Sequence, residues 1–465
     1  MASTKGLRIV ILGAGFAGMA VAQELASILP RSEDGDIVLV DQNNFSLFTP
    51  MLTEVAGGQV EPGNIVAAVR LLSPRVTFEQ GRVEKIDTTA KTVTISIGDQ
   101  VSGVAPVQRT LHADHLVITL GSVTNFHHIA GLAEHSLTIK TVEEAEAIRN
   151  RAIALLERAD GEPDPDARRG LLTFVVGGGG FSGVETMAAL NDLVRDLVDR
   201  YAHVDPGDVR MVIVQPGGRL LPEIGESLAR YAQRKLEQRG VEVMLNTMVE
   251  GAGSDYVEVK GSHSQNAQRI EARTLVWAGG VKPSPVIESA GLELGHHHGI
   301  VVDGCCAVPN HPGIWALGDC AEVPRPGGAS TYAPTAQNAT REGTQVARNI
   351  VATMRGEQPQ PFVYHPIGEL AIVGKHSGVA SLYGVHISGL PAWAMWRAIY
   401  LAKLPRVMKR LHVGLNWLMD AIFSREIAAL PGVPESNGHH SPDGNRSQAS
   451  SATEPEGKVI AGSSS

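Results

Sequence analysis

Cysteine is scarce. Only Cys305, Cys306 and Cys320 occur in 465 residues, none in a CxxC pair, so a disulfide scaffold is excluded and a reducing compartment is expected. Aromatic residues make up 5% and charged residues 19%, too little charge for a disordered polyelectrolyte. Basic residues are in deficit: 40 Lys and Arg against 49 Asp and Glu leave a net charge of -9. Such a surface repels phosphate polymers, so no nucleic-acid partner is expected. Long apolar runs are also missing. Residues 376–396 carry no Asp, Glu, Lys or Arg, but they include His386, Ser388, Gly389 and Pro391 and do not read as a spanning helix. Residues 1–6 are polar and an apolar strand starts at Leu7, with no secretory signal. Any membrane contact is expected to be peripheral.

Glycine is in excess, 51 of 465 residues against a usual share of about 7%, and the absence of a Gly-X-Y period points to turns shaped for ligands. Residues 7–12 read as a buried parallel strand, followed by Gly13, Gly15 and Gly18 in GAGFAG at a helix start, then a strand ending at Asp41. In a GxGxxG the first glycine permits the tight turn, the second admits a pyrophosphate and the third lets helix pack on strand. The helix N-terminus supplies free amides, and Asp41 is placed to receive a ribose 2′-hydroxyl. The same grammar returns in VVGGGGFSG with Gly178, Gly180 and Gly183, but the following strand ends at Gln215. An acid repels a 2′-phosphate and Gln tolerates it, so NADPH is expected to be accepted beside NADH. Arg219 either binds that phosphate or is a solvated surface charge. Two sites with different acid logic suggest one tightly held FAD and one exchangeable nicotinamide, NADH or NADPH, serving hydride transfer. Packing alone is the alternative use of the glycines.

On these motifs the chain resembles the two-dinucleotide-binding flavoproteins and, among them, the type II NAD(P)H:quinone oxidoreductases, single-subunit dehydrogenases that pump no protons. The resemblance covers approximately residues 7–426. It implies that GAGFAG and Asp41 hold the FAD pyrophosphate and ribose. Segment 43–62, NNFSLFTPMLTEVAGGQVEP, resembles the stretch where disulfide reductases of the family carry redox cysteines; here there are none, which excludes dithiol chemistry and disfavours a sulfide:quinone reductase. Val83 in GRVEKID resembles a position whose backbone meets the adenine, or is a plain strand residue. Residues 113–122, ADHLVITLGS with Gly121, and 274–283, TLVWAGGVKP, resemble paired interdomain hinges.

GIWALGDCAEVP, residues 313–324, resembles the second flavin motif, in which Asp319 accepts from the ribityl chain and Gly318 allows the approach; a simple turn residue is the alternative for Asp319. The resemblance places Glu185 of GFSGVE near nicotinamide and flavin; physically, an acid there is also a favourable charge in the first turns of a helix. APTAQNATREG, residues 333–343, carries Ala336 and Gln337 of an AQ motif implied to meet the quinone headgroup. Arg341 stands where the family often has a second Gln, and a tightly packed helix start is the alternative. Lys375 in AIVGKHSG matches a basic position of the family or is a surface charge. His296, His297 and His298 read as a surface loop, with no metal expected, and Cys320 as a packing residue.

Residues 391–423 form two amphipathic stretches. Trp393, Trp396, Tyr400 and Leu404 fall near one helical face; Val407, Leu411, Leu415, Leu418 and Ile422 form a stripe after Pro405, with Arg406, Lys409 and Arg410 off its centre. Residues 392–426 hold six Lys or Arg against two acids. The pattern fits a headgroup layer, the protein's own body or a homodimer contact; the resemblance favours a membrane surface.

The expected fold is α/β, with two Rossmann-like dinucleotide-binding domains and a small C-terminal α region, since chains beyond about 250 to 300 residues split into domains. An FAD domain in two parts (1–125 and 286–365) would enclose an NAD(P) domain (126–285), with an exposed linker at 161–169. A membrane-docking region (366–430) and a disordered tail (431–465) follow. The expected activity is NAD(P)H:quinone oxidoreduction at the cytoplasmic side of the cell membrane, with Glu185 and Gln337 as catalytic residues. The alternatives are a soluble reductase of a redox-protein partner and a redox-sensing flavoprotein without turnover.

Overall fold

The computed structural model describes residues 7–29, 36–98, 103–328, 330–404, 406–422 and 428. The described residues fall in one compact unit that runs to Ala429; the tail read from 431 onward lies outside them. Strand Arg8–Leu12 leads through the first glycine turn into helix α1 (Phe16–Ile28) and strand Asp36–Asp41. Its run of Ile9, Val10, Ile11 and Leu12 is wholly buried, as a strand covered on both faces requires. Helix α2 (Leu52–Ala56) precedes strand Val76–Gln80 and a three-stranded antiparallel sheet, Arg82–Asp87, Thr92–Ile97 and Val107–His112. Strand His115–Ile118 closes the first unit, and much later Ile314–Ala316 adds to it. The sheet order Ile314–Ala316, His115–Ile118, Arg8–Leu12, Asp36–Asp41, Val76–Gln80 is parallel throughout.

Helices α3 (Leu132–His135), α4 (Val142–Asp160) and α5 (Pro165–Leu171) lead into the second unit. The stretch read as an exposed linker is mostly exposed but ends in α5: Asp164 accepts from the Asp166 amide and Pro165 supplies a preset φ at the first helical position. Strand Thr173–Gly177, helix α6 (Phe181–Val198), strand Arg210–Val214, helix α7 (Glu226–Gln238) and strand Val241–Met244 then repeat the earlier order. Another three-stranded antiparallel sheet follows, Thr247–Ala252, Tyr256–Gly261 and Gln268–Glu271, before strand Thr274–Trp277 closes a second parallel sheet. The duplication therefore extends beyond the glycine turns to the inserted antiparallel sheets. After each closing strand the chain enters a short two-stranded pairing of Ser122–Thr124 with Val281–Pro283.

Helix α8 (Ala336–Met354) packs on α1 so closely that a Cβ at Gly343 would lie 2.6 Å from the Ala17 carbonyl oxygen. The C-terminal region holds helices α9 (Leu390–Lys403) and α10 (Val407–Ile422), and also a three-stranded antiparallel sheet, Gly368–Ile372, Gly378–Leu382 and Val385–Gly389, which the sequence reading left out. That sheet carries α9 on its surface. Trp396, Leu404, Val413 and Trp417 join the same buried cluster as α2, α4 and α6.

Candidate active site

The two glycine turns have the same geometry. Gly13 sits at φ +102° and donates to the Val40 carbonyl; a Cβ there would lie 2.3 Å from the Thr119 oxygen. Gly178 sits at φ +114° and donates to the Val214 carbonyl; its Cβ would lie 2.5 Å from the Ala278 oxygen. Gly15 and Gly180 are the N-caps of α1 and α6, with no side-chain cap and nothing within 4 Å of a Cβ. Gly18 and Gly183 could bear no Cβ, which would lie 1.8 Å from the Gly13 and Gly178 oxygens respectively. Each turn thus presents an open face of helix N-terminal amides, the arrangement that holds a pyrophosphate.

The units differ in one acceptor. Asp41 Oδ2 takes the Ala14 amide at 2.6 Å and Oδ1 the Asn43 amide at 2.8 Å. Gln215 Oε1 takes the Gly179 amide, the counterpart of Ala14, at 2.8 Å. One turn is braced by a carboxylate, the other by a neutral amide. Burial raises the Asp41 pKa, against the pull of its two amide donors. Each carboxylate oxygen keeps a lone pair for a further donor. Arg219 is exposed and donates to the Pro222 carbonyl within its own loop.

Val83 has a buried side chain in a strand whose register shifts between Val83 and Lys85. Gly121 adopts φ +65°, and its carbonyl accepts from the Ser284 amide, tying the two hinge segments together. Gly318 adopts φ +72° and donates to Glu342 Oε2 at 2.8 Å; Asp319 Oδ2 accepts from Ser122 Oγ at 2.7 Å. Glu342 is buried, and desolvation, with Asp319 adding and the Gly318 amide opposing, pushes its carboxyl up to about 7. In the sequence Arg341 is singled out and not its neighbour Glu342. The signal was its spacing: Asn338, Ala339, Glu342, Gly343, Val346 and Ala347 form the buried stripe of α8, so a charge there faces inward.

Ala336 opens α8 behind the N-cap Thr335, whose hydroxyl accepts from the Asn338 amide. Gln337 Oε1 accepts from the Tyr364 hydroxyl at 2.6 Å and the Ile367 amide at 3.2 Å, so its side chain is held through its oxygen. Arg341 lies over the Tyr364 ring. Burial and the nearby Arg341 charge lower the Lys403 pKa.

Glu185 accepts the Ile372 amide at 3.0 Å. Desolvation by burial, joined by the Glu54 carboxylate and opposed by the Ile372 amide and Trp396 indole, pushes its carboxyl up to about 8. Glu54 itself is buried, and its Oε2 accepts from Trp417 Nε1 at 3.3 Å. Burial, and next the Glu185 charge, raise the Tyr400 hydroxyl pKa. Helix α9 thus places Tyr400 by Glu185 and Lys403 by Arg341, one helix turn apart. A chain of edge-on rings runs from Phe16, the first residue of α1, through Phe48 and Tyr400 to Trp396, an apolar wall against water. Lys375 pairs with Asp196 of α6 at 3.7 Å.

A profile of the pyridine nucleotide-disulphide oxidoreductases matches residues 7–343. The chain belongs to that family. The NDH2 C-terminal domain profile matches residues 367–426. The chain is 30% identical over 422 residues to the type II NADH:quinone oxidoreductase NdhA of Mycobacterium tuberculosis, covering 88% of this chain and 86% of that one. It is 29% identical to the type II NADH:quinone oxidoreductase of Staphylococcus aureus, covering 84% and 94%. Within the family it is therefore a type II NADH dehydrogenase relative. The solved structure of NDH2 from Plasmodium falciparum in complex with NADH has the same fold, with a TM-score of 0.83 at 18% identity over 91% of this chain and 99% of that one. The family's name refers to disulphides; here Cys305, Cys306 and Cys320 are all free thiols.

The amphipathic stripes need one correction. Trp396 is fully buried and Leu404 is in the core, so this face of α9 packs on the protein's own body and not in a headgroup layer. Their apolar area is better satisfied by the large cluster beneath them than by an interface open to water. Part of the positive charge is also committed within the chain. Arg397 stacks between Trp393 and Trp417, Arg406 donates to the Leu71 carbonyl, Lys409 to the Gly63 carbonyl and Arg410 to the Leu404 carbonyl. On α10 the stripe stays open: Val407, Leu411, Leu415 and Leu418 are all more than half exposed, with Met408 and Met419 beside them. The side chain of Ile422 lies outside the described residues.

Proposed function

We infer that the chain is an FAD-dependent NADH:quinone oxidoreductase. The observation that carries this reading is the pair of matched glycine turns, alike in backbone geometry and braced by Asp41 in one and by Gln215 in the other. Bound FAD supplies the two-electron chemistry, taking hydride from the nicotinamide and passing electrons to a quinone. In this reading Gly13, Gly15, Gly18 and Asp41 hold the FAD, with Val83, Gly121, Gly318, Asp319 and Ala336 lining its path. Gly178, Gly180, Gly183 and Gln215 hold NADH, and the neutral Gln215 admits NADPH as well.

The division of labour at the reacting end follows from the side chains. Gln337, held by Tyr364 and Ile367, offers its NH₂ group to a quinone carbonyl. Glu185, with its carboxyl at about 8, is protonated at neutral pH and holds a proton within the apolar wall. The ring chain from Phe16 to Trp396 excludes water from that end. The open stripe of α10 lies in the headgroup layer and makes the protein peripheral on the cytoplasmic side of the cell membrane; among the described residues no helix is long and apolar enough to cross a membrane. The test is a steady-state assay of purified protein in lipid vesicles, varying nicotinamide and acceptor. Quinone-dependent NADH oxidation is expected, and good rates with ferricyanide but none with any quinone would end the reading.

A further inference from the structure

Lys140 belongs to none of the motifs above. It is partly buried just before the N-cap of α4, and its backbone is pinned there: its amide donates to Glu144 Oε2 at 2.5 Å, the carboxylate that also forms the capping box with Thr141. Its Nζ donates to Ser122 Oγ at 2.9 Å, and Ser122 Oγ donates to Asp319 Oδ2 at 2.7 Å. Chemistry fixes the direction. An ammonium has no lone pair to offer, so the serine hydroxyl accepts from Lys140 and has one proton to give, which goes to Asp319. The three residues come from distant parts of the chain: the helix entry of α4, the hinge strand paired with Val281–Pro283, and the turn after strand Ile314–Ala316.

We propose that Lys140 is a positioning residue for the flavin: acting through Ser122, it fixes the Asp319 carboxylate by one oxygen and leaves Oδ1 to the ribityl hydroxyls. This rests on the reading of Asp319 as an FAD ligand. A serine hydroxyl alone can rotate away from a carboxylate. One whose lone pair is committed to a cation is both oriented and polarised, and charge-assisted bonds of this kind are the strong ones. The arrangement also ties FAD retention to the hinge between the two sheets, because Ser122 is a hinge residue.

The experiment follows FAD release from diluted holoenzyme by the rise of free-flavin fluorescence. Lys140→Met and Ser122→Ala are each expected to speed release about tenfold or more. The double variant is expected to be no faster than the faster single one, because both cut the same chain; Lys140→Arg restores slow release. Multiplicative rates in the double variant, or wild-type release from either Lys140→Met or Ser122→Ala, overturn the proposal. Ser122→Ala keeps the lysine and decides the matter should Lys140→Met fail to fold. Asp164→Ala, which removes the cap of α5 away from the chain, reports general loosening, and equal acceleration there also overturns the proposal. Asp319→Asn separates the two readings. Fast release from it with unchanged release from Ser122→Ala defeats the relay alone, whereas unchanged release from Asp319→Asn defeats the flavin role of Asp319.

Discussion

At the scale of single residues, the acid at 185 and the amide at 215 give the sharpest expectations. The folded chain holds the Glu185 carboxyl at about 8, well above its ordinary 4.5. Between those values the folded state binds more protons than the unfolded one, so this group makes stability fall as pH rises through the window. Glu185→Gln is therefore expected to raise Tm relative to the parent at pH 8 and to lose that advantage near pH 5, by thermal unfolding at both. If it also holds a proton during turnover, the parent's quinone reductase rate falls above about pH 8 and the variant's is low and flat. Gln215→Glu keeps an acceptor for the Gly179 amide while adding a charge. It is expected to cut kcat/KM for NADPH by at least about tenfold while leaving NADH within about threefold. Equal losses for both cofactors would show a packing role. The Gln215 consequence needed no more than the identity and place of the side chain. Glu185, Glu54 and Glu342 needed the packing: each is a buried acid whose partners, Ile372, Trp417 and Gly318 respectively, come from other parts of the chain.

At the scale of elements, α9 and α10 separate two uses of apolar periodicity that look alike on paper. Trp396 on α9 is fully buried, so Trp396→Ala is expected to cost about 3–5 kcal/mol of stability, read by chemical denaturation. Leu411→Glu with Leu415→Glu on α10 alters exposed positions and is expected to change stability by only about 0.5 kcal/mol per site. The same pair should weaken sedimentation with anionic lipid vesicles by about tenfold or more, through lost apolar insertion and added repulsion. Unchanged vesicle binding, with a shift from dimer to monomer in light scattering, would assign the stripe to a contact between copies. Spacing alone could not separate these helices. Both repeat at helical intervals, and only the neighbouring C-terminal sheet and the Trp417–Glu54 contact decide which face is covered.

At the scale of the whole molecule, the C-terminal region is part of the fold and not an appendage. Trp396, Leu404, Val413 and Trp417 complete the core shared with α2, α4 and α6. Truncation after Leu390 is thus expected to lower Tm by several degrees at least and broaden the transition, so point substitutions on α10 test membrane docking more cleanly. What the sequence alone determined was local and repeated: the two strand-turn-helix units, the acid in one and amide in the other, and the helical spacing of the apolar residues in α9 and α10. Each rests on backbone sterics or on side chains a few residues apart, which the order of residues specifies directly. What only the tertiary structure decided was long-range. The antiparallel sheet inserted in each unit, the seating of Trp396, the Glu342 brace on Gly318 and the chain from Lys140 through Ser122 to Asp319 all join segments whose proximity is set by how the sheets pack. Burial, and with it the pKa of an acid or the free face of a helix, is a property of that packing and has no local signature.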